Sequence, residues 1–313
     1  MKFSKLFLLF ITIIGNFYIA YSQEALDLKS KNLLGKVKSI KIFYYNASEK
    51  FGELQKGKLN CKYYQVFNSQ GYLIKETCSD EEVKIEYAYK FFYDIKNNLI
   101  KGLTLQNKII LENKYDSENR LIQTDNLVGY IYPNFRTKNK FSFDGKIKES
   151  NAYNFEGLLQ IKIISKYDDK GKEIESSVYD ENGKMSLHYF SDYNEKGNLI
   201  KVSSLKGFEE NGGDARIFKY NDKNQVTQEN FTTEDGTRYT RQTYSYNEYG
   251  NIVSENSVSD DTLSTYNLNY EYKYDTLGNW IEQKMTGYGE MARPEIIQRQ
   301  INYYLIPTAR IHK

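Results

Sequence analysis

Two histidines, two cysteines and 41 acidic residues are the groups with which this 313-residue chain could do chemistry. His312 is the penultimate residue. His188 lies in Ser186-Leu187-His188-Tyr189-Phe190, a context that reads as a sheet-surface histidine rather than a general base. No phosphate-cradling glycine loop and no His/Cys metal spacing occurs. Asp168-Asp169 and Asp180-Glu181-Asn182-Gly183 gather oxygens at turns, but the spacing matches no EF-hand, so they read as solvated turns. No metal and no cofactor is expected. Two carboxylates facing each other at about 5–10 Å would hydrolyse a glycosidic bond, and nothing in the order of residues sets up such a pair. The chain is therefore expected not to be an enzyme, with an exported polysaccharide hydrolase as the alternative.

What the chain holds in excess is aromatic surface, 30 tyrosines and 17 phenylalanines in an otherwise polar sequence. Tyrosine buries its ring while its hydroxyl stays wet, which suits both a half-buried sheet and a ligand-contacting wall. Tyr130, Tyr132, Phe135 and Trp280 are the candidate rings for holding a glycan or another protein. Core packing accounts for most of the other tyrosines.

These side chains must be positioned by strands and turns, because no long stretch shows a 3.6-residue apolar period. Two-residue alternation recurs instead. Val83, Ile85, Tyr87, Tyr89 and Phe91 alternate with Lys84, Glu86, Ala88 and Lys90, as in an antiparallel sheet with one wet face. Between the strands one template repeats: an aromatic, Asp or Asn, two free positions, then Gly or Asn. Ten copies start at Phe67, Tyr93, Tyr115, Tyr153, Tyr167, Tyr179, Tyr193, Tyr220, Tyr246 and Tyr274. The second residue suits an Asx turn and the fifth a positive φ. In a three-residue loop with a bulged glycine the first residue faces the seventh, here Leu, Val, Ile, Met or Trp in every copy except Glu173. Asp144-Gly145 and Asp235-Gly236 read as turns that have drifted from the template. Leu34 to Tyr45 reads as an opening strand, Glu49 to Lys58 as a polar loop, and Glu295 to Tyr304 as a closing strand. Asn126 to Lys140 and Leu205 to Ala215 read as the widest irregular pieces.

Cys61 and Cys78 flank the first template turn, and an even count in an exported chain favours a disulfide between them. Register decides the matter. With Phe67 opposite Leu73, Cys61 faces Ser79 and Cys78 falls on the other side of the sheet; a four-residue loop pairing Phe67 with Tyr72, or one extra bulge, brings the cysteines face to face.

Export is read from the first 22 residues. Lys2 and Lys5 precede an apolar run from Leu6 to Ile14, and Ala20-Tyr21-Ser22 forms a small-x-small cleavage site before Gln23. The run is too short to span a bilayer, and no membrane insertion is expected after cleavage. Residues 23–313 then carry 41 charges of each sign. They are interleaved, with no basic stripe for phosphate backbones, so no nucleic-acid partner is expected. Nothing marks a linker, and 23–313 reads as one domain with its repeats at about 60–304.

The segments YNEKGNLIK, YDTLGNWIE, YNEYGNIVS and YDSENRLIQ resemble the YD repeats of the RHS type. The signal peptide and the Ile301-Asn302-Tyr303-Tyr304 strand resemble small exported proteins of Bacteroidetes-like bacteria that carry degenerate YD repeats. Large RHS proteins wrap such repeats into a hollow shell around a toxin, and the resemblance implies a sheet that curls on itself. The expectation is an all-β, antiparallel β-hairpin repeat array forming an elongated, curled sheet. Its expected role is an exported non-catalytic binding or scaffold protein in the periplasm or at the cell surface, with a toxin-associated delivery or immunity partner as a further alternative.

Overall fold

All ten template copies fold as the same hairpin. The first residue pairs with the seventh in each, as Phe67 with Leu73, Tyr193 with Leu199 and Tyr274 with Trp280. The fifth residue has a positive φ throughout, from 60° at Asn224 to 93° at Gly71. The Asx carboxyl or amide oxygen accepts the next orphan donors: Asp94 Oδ1 takes the N–H of Lys96 at 2.9 Å and of Asn98 at 2.8 Å. One bulge follows each turn, so that two residues oppose the aromatic.

In the computed structural model, residues 26–305 are described, apart from 81–84, 127–134, 155, 207–212, 234–238, 261–264 and 290–292. The expected signal peptide, Tyr130, Tyr132 and the Asp235-Gly236 turn lie outside the described residues. The strands run β1 Val37–Lys50, β2 Glu53–Phe67, β3 Leu73–Asp80, β4 Ile85–Tyr93, β5 Leu99–Thr104, β6 Ile109–Tyr115, β7 Leu121–Asn126, β8 Phe135–Phe141, β9 Ile147–Tyr153 and β10 Leu159–Tyr167. The second half holds β11 Glu173–Tyr179, β12 Met185–Tyr193, β13 Leu199–Lys206, β14 Ala215–Tyr220, β15 Val226–Thr232, β16 Tyr239–Tyr246, β17 Ile252–Ser259, β18 Tyr266–Tyr274, β19 Trp280–Tyr288 and β20 Glu295–Tyr303.

Every strand pairs antiparallel with its chain neighbours, and β20 pairs with β1 from Val37↔Tyr303 to Asn46↔Glu295. The all-β antiparallel expectation holds, but the elongated, curled sheet is corrected: the array closes into a 20-stranded barrel. A hairpin motif fixes how neighbours pair and leaves the number of strands per circuit open. At a strand spacing of about 4.8 Å the ring is about 96 Å round. Two further expectations change. Glu49 to Lys58 belongs to the arms of a long hairpin turning at Phe51-Gly52, and β8 claims Phe135 to Phe141.

The register separates two faces. One carries Ile42, Tyr44, Tyr63, Cys78, Tyr87 and their neighbours in line around the ring. The other carries cross-strand ion pairs: Lys101–Glu112 at 3.1 Å, Arg136–Asp125 at 2.5 Å, Lys166–Glu175 at 2.8 Å and Lys273–Glu282 at 2.8 Å. Burial lowers the pKa of Lys148 and Arg299 on the aromatic face, which is the concave, inward one. The ion-paired face is the outer wall.

Residues 26–36 pack over one end of this inner wall. Leu26 and Leu33 join Val37, Ile40, Phe67, Leu73 and Leu99 in the buried core. The backbone N–H of Leu28 donates to Gly71 at 3.0 Å, and that of Leu34 to Asn279 Oδ1 at 2.7 Å, so the segment ties the β2–β3 turn to the β18–β19 turn across the closing seam.

Cys61 and Cys78 are both free thiols, which corrects the expected disulfide. The bulge after Leu73 brings them to one face but out of step, Cys61 opposite Asp80 and Cys78 opposite Tyr63. Such diagonal neighbours stand roughly 7–8 Å apart, against about 4.4–6.8 Å between the α-carbons of a bridge. Burial, then the neighbouring Cys78, pushes the Cys61 thiol up to about 11.

Candidate binding site at the turn-rich rim

Eight of the template turns share one rim of the barrel, and their tyrosines form a ladder along its inner edge. Five of the hydroxyls donate to the backbone carbonyl just past the preceding turn: Tyr93 to Leu73 at 2.8 Å, Tyr115 to Leu99 at 3.1 Å, Tyr193 to Glu173 at 2.8 Å, Tyr220 to Leu199 at 2.6 Å and Tyr246 to Val226 at 2.6 Å. Tyr272 does the same for Ile252 at 2.8 Å, and Tyr304 closes the circuit on Phe67 at 2.6 Å. Side chains of the sixth turn position add a second lacing. Asn198 Nδ2 donates to Asn224 Oδ1 at 2.9 Å, Gln225 Nε2 to the Gly250 carbonyl at 3.4 Å and Asn251 Nδ2 to the Tyr274 hydroxyl at 2.9 Å.

The ladder is interrupted between β8 and β10. The turn from Phe141 to Ile147 is the drifted copy, with Ser142 in the Asx position and Gly145 at φ 72°. It lacks the bulge, so Phe141 pairs with the eighth position, Lys148, and Ile147 turns outward. A lysine thereby takes the inner place that an aliphatic holds elsewhere. Phe141 has no hydroxyl; Asn139 Nδ2 reaches the Leu121 carbonyl instead at 2.8 Å. Tyr167 turns its hydroxyl to Glu173 Oε2 at 3.3 Å.

A pocket of about 540 Å³ opens at this interruption. Its floor is Leu121, Phe141 and Tyr167, with Asn139 and Lys148 on the inner wall, and three turns form its lip. The lip is held by ion pairs: Arg120 on Asp116 at 2.7 Å and on Glu118 at 2.9 Å, and Lys146 on Asp169 at 2.5 Å. The Arg120 guanidinium also lies 4.7 Å from the Phe141 ring centroid. Burial lowers the Lys148 pKa against the opposing field of Glu173, and among the described residues its ammonium has no hydrogen bond. Burial, then Glu173, pushes the Tyr167 hydroxyl up to about 12. An apolar floor, one unneutralised cation and a fixed polar lip can seat a polar ligand with a flat face.

No family model matches the chain. No curated protein matches it either. Among solved structures it is similar to a porin-like protein from Bacteroides uniformis, at 10% identity and TM-score 0.37, over 85% of this chain and 96% of that one. A porin-like protein from Bacteroides vulgatus gives 12% identity and TM-score 0.30 over 64% and 97% of the two chains. The crystal structure of TcdB2-TccC3-Cdc42 gives 12% and 0.34 over 79% of this chain and 14% of that one.

The aromatic residues singled out in the sequence do not gather in the pocket. Phe135 starts β8 at the opposite rim, paired with Asn126. Trp280 stands on the inner wall beside the closing seam, with Arg299 stacked 3.2 Å from its ring centroid. Of the residues that line the pocket, the sequence marks Asp144-Gly145 and Asp168-Asp169 only as turns, and it does not mark Lys148 at all. Ser142 in place of Asx was their visible signal, because it marks the one turn of this rim where the template fails. Among the described residues no group of three His, Cys, Asp or Glu could hold a metal ion.

Proposed function

We propose that the chain is an exported, non-catalytic binding scaffold that holds a glycan against the inner wall of its barrel, with the Lys148 pocket as the point of contact at the rim. The observation that carries this reading is the coincidence of the broken ladder with the pocket: the molecule gives up its repeated hydrogen bond where an apolar floor and an unneutralised lysine face one space. The lysine- and glutamate-bearing outer wall supports a barrel bathed in water, since a membrane-crossing barrel presents an apolar band to lipid. The Ser22-Gln23 junction supports delivery to the periplasm or cell surface.

The test is a glycan array and cell-wall pulldown with residues 23–313, beside Lys148→Met and Tyr167→Ala. Saturable binding that both substitutions weaken at least tenfold is the expected result. Binding that ignores both would move the contact elsewhere, and no binding to any glycan would end this reading.

A further inference from the structure

A second unneutralised cation stands on the inner wall, and its surroundings are more specific than those of Lys148. Arg299 on β20 lies opposite Ile42 of β1. Its guanidinium is stacked on Trp280, which in turn meets Tyr272 edge-on at 6.1 Å. Among the described residues it has no carboxylate partner, and its Nε is shielded from solvent without an acceptor. Desolvation lowers its pKa to about 10 even with the Tyr44 and Tyr272 hydroxyls close by. Lys31, from the segment packed over this end of the barrel, lies within the field of the same guanidinium. Burial lowers the Lys31 pKa, the field of Glu76 opposes that, and Arg299 lowers it further. Glu76 and Asp27 pull the other way on Lys31, but among the described residues neither forms an ion pair with it or with Arg299; Glu76 accepts from Gln65 Nε2 at 2.5 Å, and Asp27 accepts the Ser30 N–H at 2.7 Å.

Two desolvated cations that repel each other, one with a buried donor lacking an acceptor, mark a place that an oxyanion would complete. The guanidinium fork matches a carboxylate in two parallel hydrogen bonds, and stacking on Trp280 fixes its plane in advance. We propose that Arg299 and Lys31 bind the carboxylate of a small organic acid or of an acidic sugar at the inner wall beneath residues 26–36. This site does not depend on the Lys148 pocket.

Trp280 is the sole tryptophan, so its fluorescence reports on the site directly. Residues 23–313 are titrated at constant ionic strength with acetate, galacturonate, galactose, sulfate and phosphate, with calorimetry alongside. The expected result is a saturable change with the carboxylates and none with galactose. Acetate alone would identify an organic-acid site, and tighter binding of galacturonate an acidic-sugar site. Arg299→Lys, which keeps the charge and loses the fork, should weaken binding at least tenfold; Lys31→Met should weaken it several-fold, and Arg299→Met should abolish it. Arg299→Met should also raise the melting temperature without ligand, because it removes an unpaired buried charge. Sulfate or phosphate binding as tightly as the carboxylates, or carboxylate binding unchanged in Arg299→Lys and Lys31→Met, overturns the proposal. Galacturonate binding that survives Arg299→Met and falls in Lys148→Met overturns this site alone and leaves the rim pocket standing.

Discussion

The same turn occurs at both rims of the barrel and behaves differently at each. At the turn-rich rim the template aromatic faces inward and its hydroxyl reaches the preceding hairpin, as Tyr246 does to Val226. Two copies, at Tyr153 and Tyr179, sit at the opposite rim instead, joining β9 to β10 and β11 to β12. There the chain enters the turn from the other direction. Tyr153 falls in line with Arg136 and Tyr179 with Lys162, on the ion-paired outer wall. The Lys138 ammonium lies 5.6 Å from the Tyr153 ring centroid, and the Tyr153 hydroxyl has no partner among the described residues. A local motif therefore fixes a turn, while the end of the barrel it occupies decides whether its tyrosine laces the wall or decorates it.

That contrast can be broken from its strongest point downward. Phe67 is wholly buried beneath residues 26–36, and Phe67→Ala should cost about 3–5 kcal/mol in urea unfolding. Asn279 exchanges two hydrogen bonds with Leu34 and gives a third to the Tyr303 hydroxyl, so Asn279→Ala should cost about 2–3 kcal/mol by the same measurement. A value near zero would show that the seam is held by the strands alone.

The tyrosine comparison is the sharpest. Tyr246→Phe should cost about 1 kcal/mol, and Tyr153→Phe should stay within about 0.5 kcal/mol of the parent. Equal losses at the two positions would dismiss the ladder. The smallest effect expected concerns acid. The backbone N–H of Arg120 and then its side chain hold the Asp116 carboxyl below its usual range. A carboxyl depressed in the fold stabilises it above its unfolded pKa, and that contribution fades as pH falls through the folded value. Asp116→Asn should accordingly lower stability slightly near neutrality, where that contribution is present, and the parent and variant curves should converge as pH falls below about 4.

The turns were legible because their chemistry is local. Pairing of the first and seventh residues follows from Asx and glycine spacing alone, and it is found even where Glu173 replaces the usual aliphatic. Closure was not legible, since the donors and acceptors that β1 offers to β20 are the ones it would offer to solvent. The cysteines show how a single bulge defeats a register argument. Had the residue after Leu73 been counted as extra, Cys61 and Cys78 would have been placed on one face and out of step. The inner cations are harder still. Lys148 and Arg299 look like any strand lysine or arginine until parity around the ring turns them inward, and only a closed ring has an inside.

Closure also has a consequence in time. Each hairpin is a short-range event that can form within microseconds, but the last union joins Val37 to Tyr303 and must wait for almost the whole chain. Until then the growing ladder presents two unpaired borders, the kind that recruit strands from other molecules. Refolding should therefore show a rapid gain of strand signal followed by one slow phase that belongs to the joining of the ends. A chain ending before Glu295 should stop at that stage and associate with its own copies.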